Sequence, residues 1–183
     1  PLRQHVRTYR DGWRRYHQRT EAMCTETGRL ARVRAASVAV LRVHEDKERA
    51  GGIAASLAIP WGDAHGDRSA GGYHLVWPRD LIEAAGARLA TGMTASACRT
   101  LRYLMSTQDS DGGWPQNMWL DGTPHWRGQQ LDEIALPILL AGTLVAHGAI
   151  GDMDAWPMVR AAALRLVGGG PATPEDRWEE EGG

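Results

Sequence analysis

The chain has 183 residues, a formal net charge of −1 at pH 7 and 43% hydrophobic side chains. A length of this order supports one packed core, burying roughly 70% of the unfolded surface, and the hydrophobic content excludes a disordered chain. With a sequence pI of about 6.8 there is no field to gather nucleic acid or anionic lipid, so neither is expected as a partner.

In chain order, apolar residues Leu2, Val6, Tyr9, Trp13 and Tyr16 recur at steps of four and three, one stripe of a helix whose remaining positions are rich in arginine. A basic helix with aromatics suits nucleic acid or a membrane surface, but in a neutral chain solvated arginines around a packing stripe are the simpler reading. Residues 1–28 are taken as this lead-in helix. After Gly28 a second helix runs to about Val43, with Leu30, Val33, Ser37, Val40 and Leu41 as its face.

A long connection rich in Gly and Asp follows, from His44 to Arg79, carrying Trp61 and Trp77. Its opening, His44-Glu45-Asp46-Lys47, lacks the i, i+4 histidine pair of a zinc helix and reads as a solvated helix end. A third helix is expected over Asp80 to Ala90 and a fourth over Ala95 to Thr107, capped by Thr94. A second long connection, Gln108 to Gly128, holds Trp114, Trp119 and Trp126. An apolar fifth helix, about Gln129 to His147, is bent or interrupted at Pro137. Asp154 caps a sixth, which the run Gly168-Gly169-Gly170-Pro171 stops. No strand alternation is visible.

The connections alternate long and short, which in antiparallel helical hairpins puts the long ones at one end of a bundle. Six of the eight tryptophans fall in the long connections and the closing stretch after the sixth helix. One end is therefore expected to be aromatic and acidic, the composition of a loop-built pocket on a helical scaffold. Cys24 and Cys98 form no metal or redox spacing, and no metal or cofactor is expected. The longest apolar run, about Ile134 to Val145, falls short of the roughly 18 to 20 residues that span a bilayer. No signal segment is visible in this chain, and the compartment stays open between secreted, periplasmic and other locations.

Three stretches combine indole with charge. Tyr73, Trp77, Arg79 and Asp80 lie within eight positions, Trp114 to Glu133 forms the second stretch, and Trp178-Glu179-Glu180-Glu181 the third. Sugars offer apolar C–H faces and a belt of hydroxyls, which aromatic platforms and Arg or carboxylate partners match. Spacing alone leaves other readings open: Asp80 as a helix N-cap beside a surface Arg79, the tryptophans as packing for the loops, the glutamates as a solvated acidic tail.

The stretches GGYHLVWPRDL, DGGWPQNMWLDGTPHWRGQQLDEIALPILLA and EDRWEE, together with HEDK and SLAIPWG, resemble the successive motifs of the glucoamylase and glucodextranase family of inverting glycosidases, glycoside hydrolase family 15, in its prokaryotic branch. The resemblance runs from about Leu30 to Gly183. It implies an all-α chain of about six helices forming part of an (α/α)6 barrel, residues 29–183 being an N-terminal portion of the catalytic domain. It also implies an α-glucan oligosaccharide or polysaccharide as the partner.

By the same resemblance Glu179 is the general acid. Arg79 and Asp80 hold hydroxyls of the terminal glucose, Tyr73 and Trp77 line that subsite, and Trp126 closes over the substrate with Asp132 in support. Glu180 contacts the next sugar and Arg177 contributes through its backbone. The family's general base belongs to the second half of the barrel, so the 183 residues alone are expected to be inactive. Half a barrel would leave apolar helix faces uncovered and favour self-association. The alternative class is a non-catalytic carbohydrate-binding or helical interaction module using the same tryptophans.

Overall fold

The computed structural model describes residues 2–57 and 74–170. Within them run α1 (Leu2–Ala22), α2 (Gly28–Val43), α3 (Pro78–Ala90), α4 (Thr94–Thr107), β1 (Asn117–Met118), β2 (Pro124–Trp126), α5 (Leu131–Ala146) and α6 (Trp156–Gly169). The six expected helices are present. The β1–β2 hairpin is not foreseen by the sequence reading, because strands of two and three residues are too short for alternation to register.

The helices α3 and α5 end alike. Beyond α3, the amides of Gly92 and Met93 reach back to the carbonyls of Leu89 and Arg88; beyond α5, those of Gly148 and Ala149 reach Val145 and Leu144. This paired closure needs a left-handed residue at its centre, and Gly92 and Gly148 supply it with φ of 81° and 63°. Each chain reversal then feeds the next helix, so α3–α4 and α5–α6 form two hairpins. The helix α3 packs against α4 and α5, and α5 against α6. Their shared core includes Leu81, Ala85, Leu101, Leu104, Ile134, Leu144 and Ala162, all buried, with Trp114 and Met118 from the second long connection closing it.

The pair α1 and α2 joins this block through polar tethers. Tyr16 Oη donates to the Val38 carbonyl at 2.7 Å, while Arg34 donates to the carbonyls of Thr20 at 2.7 Å and Thr91 at 2.9 Å. The Arg42 guanidinium lies 4.6 Å from the centre of the Tyr16 ring. These tethers set the rotation of the two helices and overturn part of the expected faces. Tyr16 is buried, but Leu2, Val6 and Tyr9 at the other end of its stripe are exposed. In α2 the expected residues Leu30, Val33, Ser37 and Val40 are exposed, and Val38 is the buried one. With apolar residues on every side of α2, periodicity could not choose a face.

Three expected caps also shift. Asp80 is the third residue of α3 instead of its cap, because Pro78 starts the helix with a preset φ. Thr94 is the first residue of α4, with Met93 before it. Asp154 Oδ2 accepts from Gly151 N at 2.8 Å, closing the preceding turn, and α6 begins at Trp156. The helix α5 continues through Pro137, which is buried against the core.

The His44–Lys47 segment is not a solvated helix end. Glu45 is buried and receives Arg99 Nε at 3.1 Å, with Arg88 Nη2 at 3.2 Å and Gly51 N at 3.2 Å. Burial alone would raise its pKa, but Arg99, Arg88 and the Gly51 amide overcome that and hold it below the ordinary value. Glu45 thus ties the start of the first long connection to α3 and α4. Among the described residues no helix is long and apolar enough to cross a membrane.

Candidate functional site

The first turns of α3 and α5 face each other at one end of the core. The two long connections that lead into them are joined there, since Val76 N donates to Met118 O at 2.8 Å and Met118 N to Val76 O at 3.0 Å. Pro78 opens α3 and places Arg79 and Asp80 in its first turn; Gln130 precedes α5 and Asp132 and Glu133 occupy its first turn. Acidic residues are favoured in a first turn because unpaired helix amides make that end positive.

Arg79 is the centre of this meeting. Its Nη1 lies 2.9 Å from Asp132 Oδ2, 3.2 Å from Gln130 Oε1 and 3.3 Å from Glu133 Oε1, while its Nε is 4.0 Å from Asp80 Oδ2. Burial pulls the guanidinium pKa down, but Asp132, Glu133 and Asp80 outweigh it and raise the value. The reading of Arg79 as a plain surface charge is therefore corrected. Its side chain keeps 22% exposure, those of Asp132 and Asp80 keep 42% and 51%, and that of Glu133 keeps none. Burial is the main reason the Glu133 carboxyl is pushed up to about 8, against the pull of the Arg79 amide and guanidinium.

Indoles border the cluster. Trp126, on β2, is half-buried and meets the nearly buried Trp77 edge-on, with ring centres 6.4 Å apart and planes at 86°. His125 stacks on Trp126 at 5.7 Å. The Asn117 side chain accepts the Trp126 amide at 3.1 Å and so fixes the β2 backbone under the ring. Trp114 does not belong here. It is buried in the core and donates to the Leu104 carbonyl at 3.1 Å, a packing role that its loop position concealed.

Two of the three indole-and-charge stretches thus converge, bringing Trp77, Arg79 and Asp80 together with Trp126 and Asp132. Tyr73 and the third stretch, with Arg177, Glu179 and Glu180, lie outside the described residues. The sequence reading missed Gln130 and Glu133. A signal for Glu133 was present: it falls in line with Pro137, Leu140 and Leu144, an ionisable residue on the apolar stripe of α5. Among the described residues no group of three His, Cys, Asp or Glu side chains could hold a metal ion.

A guanidinium ringed by acceptors beside an open-edged indole suits a polyhydroxylated ring with an apolar face. No protein-family model matches the chain. A curated glucoamylase of Clostridium sp. (strain G0005) is 40% identical over 175 residues, 96% of this chain. The crystal structure of a bacterial glucoamylase complexed with acarbose superposes with a TM-score of 0.70 and 41% identity over 80% of the chain. In sequence and fold alike, the chain is similar to a segment of bacterial glucoamylase. It spans 24% of the Clostridium glucoamylase and 21% of the crystallised one. Its helical hairpins are all-α and form part of the (α/α)6 barrel of the glucoamylase fold.

Proposed function

We propose that the chain is part of an exo-acting, inverting α-glucoside hydrolase that releases β-D-glucose from the non-reducing ends of α-glucans, of glucoamylase or glucodextranase type. The observation that carries this reading is the convergence of Arg79, Asp80, Asp132 and Trp126 at one end of a helical core, in a chain 41% identical to a glucoamylase crystallised with acarbose.

In this reading Arg79 and Asp80 bind hydroxyls of the terminal glucose, Tyr73 and Trp77 wall that subsite, and Trp126 covers the ring with Asp132 beneath. Glu179 donates the proton to the departing oxygen, while Glu180 and the Arg177 backbone serve the next sugar. Inversion needs a second carboxyl roughly 6.5 to 9.5 Å from the acid, with a water between it and the sugar. That group is proposed to come from another part of the barrel, which makes the 183 residues alone inactive.

The test is the Glu179→Gln variant of the natural gene product containing this chain. Hydrolysis of maltooligosaccharides should fall by about three orders of magnitude or more, because the amide has no proton to give, while acarbose binding by calorimetry persists. An active variant removes Glu179 as the acid. Sugar binding by the unsubstituted protein without any turnover would favour the non-catalytic module.

A further inference from the structure

Glu133 is fully buried, and both of its oxygens face one residue. Oε2 accepts the Arg79 backbone N–H at 2.5 Å, and Oε1 lies 3.3 Å from Arg79 Nη1 with no hydrogen-bond partner of its own. That backbone N–H is one of the amides at the start of α3 that no intrahelical carbonyl can satisfy. Trp77, at the cap position, offers no side-chain acceptor. The carboxyl of Glu133 therefore caps α3 from the first turn of α5 and flanks the guanidinium of the same residue.

From this geometry we propose that Glu133 is the positioning residue for Arg79, holding its backbone and its guanidinium in the one pose that meets the terminal sugar. The inference rests on the hydrolase reading above, in which Arg79 binds that sugar. Asp132 and Gln130 also reach Nη1, with contacts to the guanidinium at 2.9 and 3.2 Å. Glu133 couples the guanidinium to the helix itself, since it meets the Arg79 amide as well. A rigid coupling of this kind lowers the cost of ordering a long side chain when ligand arrives.

The experiment is a double-mutant cycle in the natural gene product, reading acarbose affinity, KM and kcat on maltooligosaccharides, and the unfolding midpoint. Glu133→Gln keeps one acceptor for the Arg79 amide and turns an NH2 group toward the guanidinium. It should weaken acarbose by about tenfold or more, the scale of a buried donor left facing a cation, raising KM more than it lowers kcat. In an Arg79→Met background the same change should cost less than about twofold, because the residue it acts through is gone.

Glu133→Asp retains both oxygens and should recover part of the loss; it also replaces Glu133→Gln in the cycle if that variant does not fold. Equal losses in both backgrounds, or unchanged affinity in a protein that binds acarbose, overturn the positioning role and leave the hydrolase reading intact. Failure of both variants to fold assigns Glu133 to the fold alone and overturns it as well. A protein without substitutions that neither binds acarbose nor hydrolyses α-glucan overturns both readings together.

Discussion

A carboxyl whose pKa is about 8 in the folded chain, against 4.5 ordinarily, binds a proton more tightly when folded than when unfolded. Stability from Glu133 is then fully present below about pH 4.5 and declines as pH rises toward about 8, since the unfolded chain releases the proton first. Glu133→Gln does not titrate. The unfolding free energy of the unsubstituted protein minus that of the variant should therefore fall between pH 5 and pH 8 and level off above, as measured by urea titration at each pH. A difference that stays level over this range would mean that Arg79 holds Glu133 ionised throughout. At this scale the sequence was legible where a residue type carries its own chemistry, as with Arg79 and Trp126. It was not legible for Trp114, because loop membership does not tell a ring packed in a core from one on a rim. Glu133 carried a weaker mark, because it sits on a helix stripe away from the loops that bear the indoles.

Helices were read well as elements, and their rotations less well. Gly92 and Gly148 mark true ends, and Pro78 a true start, because backbone constraints act locally and leave their mark in the sequence. The face of α2 and the role of Glu45 depend on partners some 50 residues away, which no local pattern contains. Glu45 is the sharper case. Arg88 is fully buried, its Nε and Nη1 make no hydrogen bond, and Glu45 is the carboxylate beside it. Replacing Glu45 by Gln leaves that cation without a counter-charge, and loss of one member of a buried pair costs about 3–5 kcal/mol. A drop of that size in the urea unfolding free energy is expected. A change below about 1 kcal/mol would place the pair among ordinary surface bridges.

At the scale of the whole molecule, the described residues form two tight hairpins, α3–α4 and α5–α6, with a more loosely tethered α1–α2 pair. Large apolar side chains remain uncovered across the helices, among them Leu2, Leu30, Val33, Leu139, Leu164 and Val167. Such a surface fits a partial barrel, and the chain covers about a quarter of the Clostridium glucoamylase it matches, 24% of that length. The similarity to glucoamylase and the barrel were legible because long motif runs keep their order, whereas the hairpin between α4 and α5 had too few residues to announce itself.

That hairpin carries one more consequence through the reciprocal pair of bonds between Val76 and Met118. Parting the two segments there would free both amides at once, so a shared opening of the approaches to α3 and α5 is expected. Native-state hydrogen exchange should give Val76 and Met118 opening free energies within about 0.5 kcal/mol of each other. A wider gap would show the two connections loosening in turn. With a common opening, a ligand held by either side would slow the fluctuations of both.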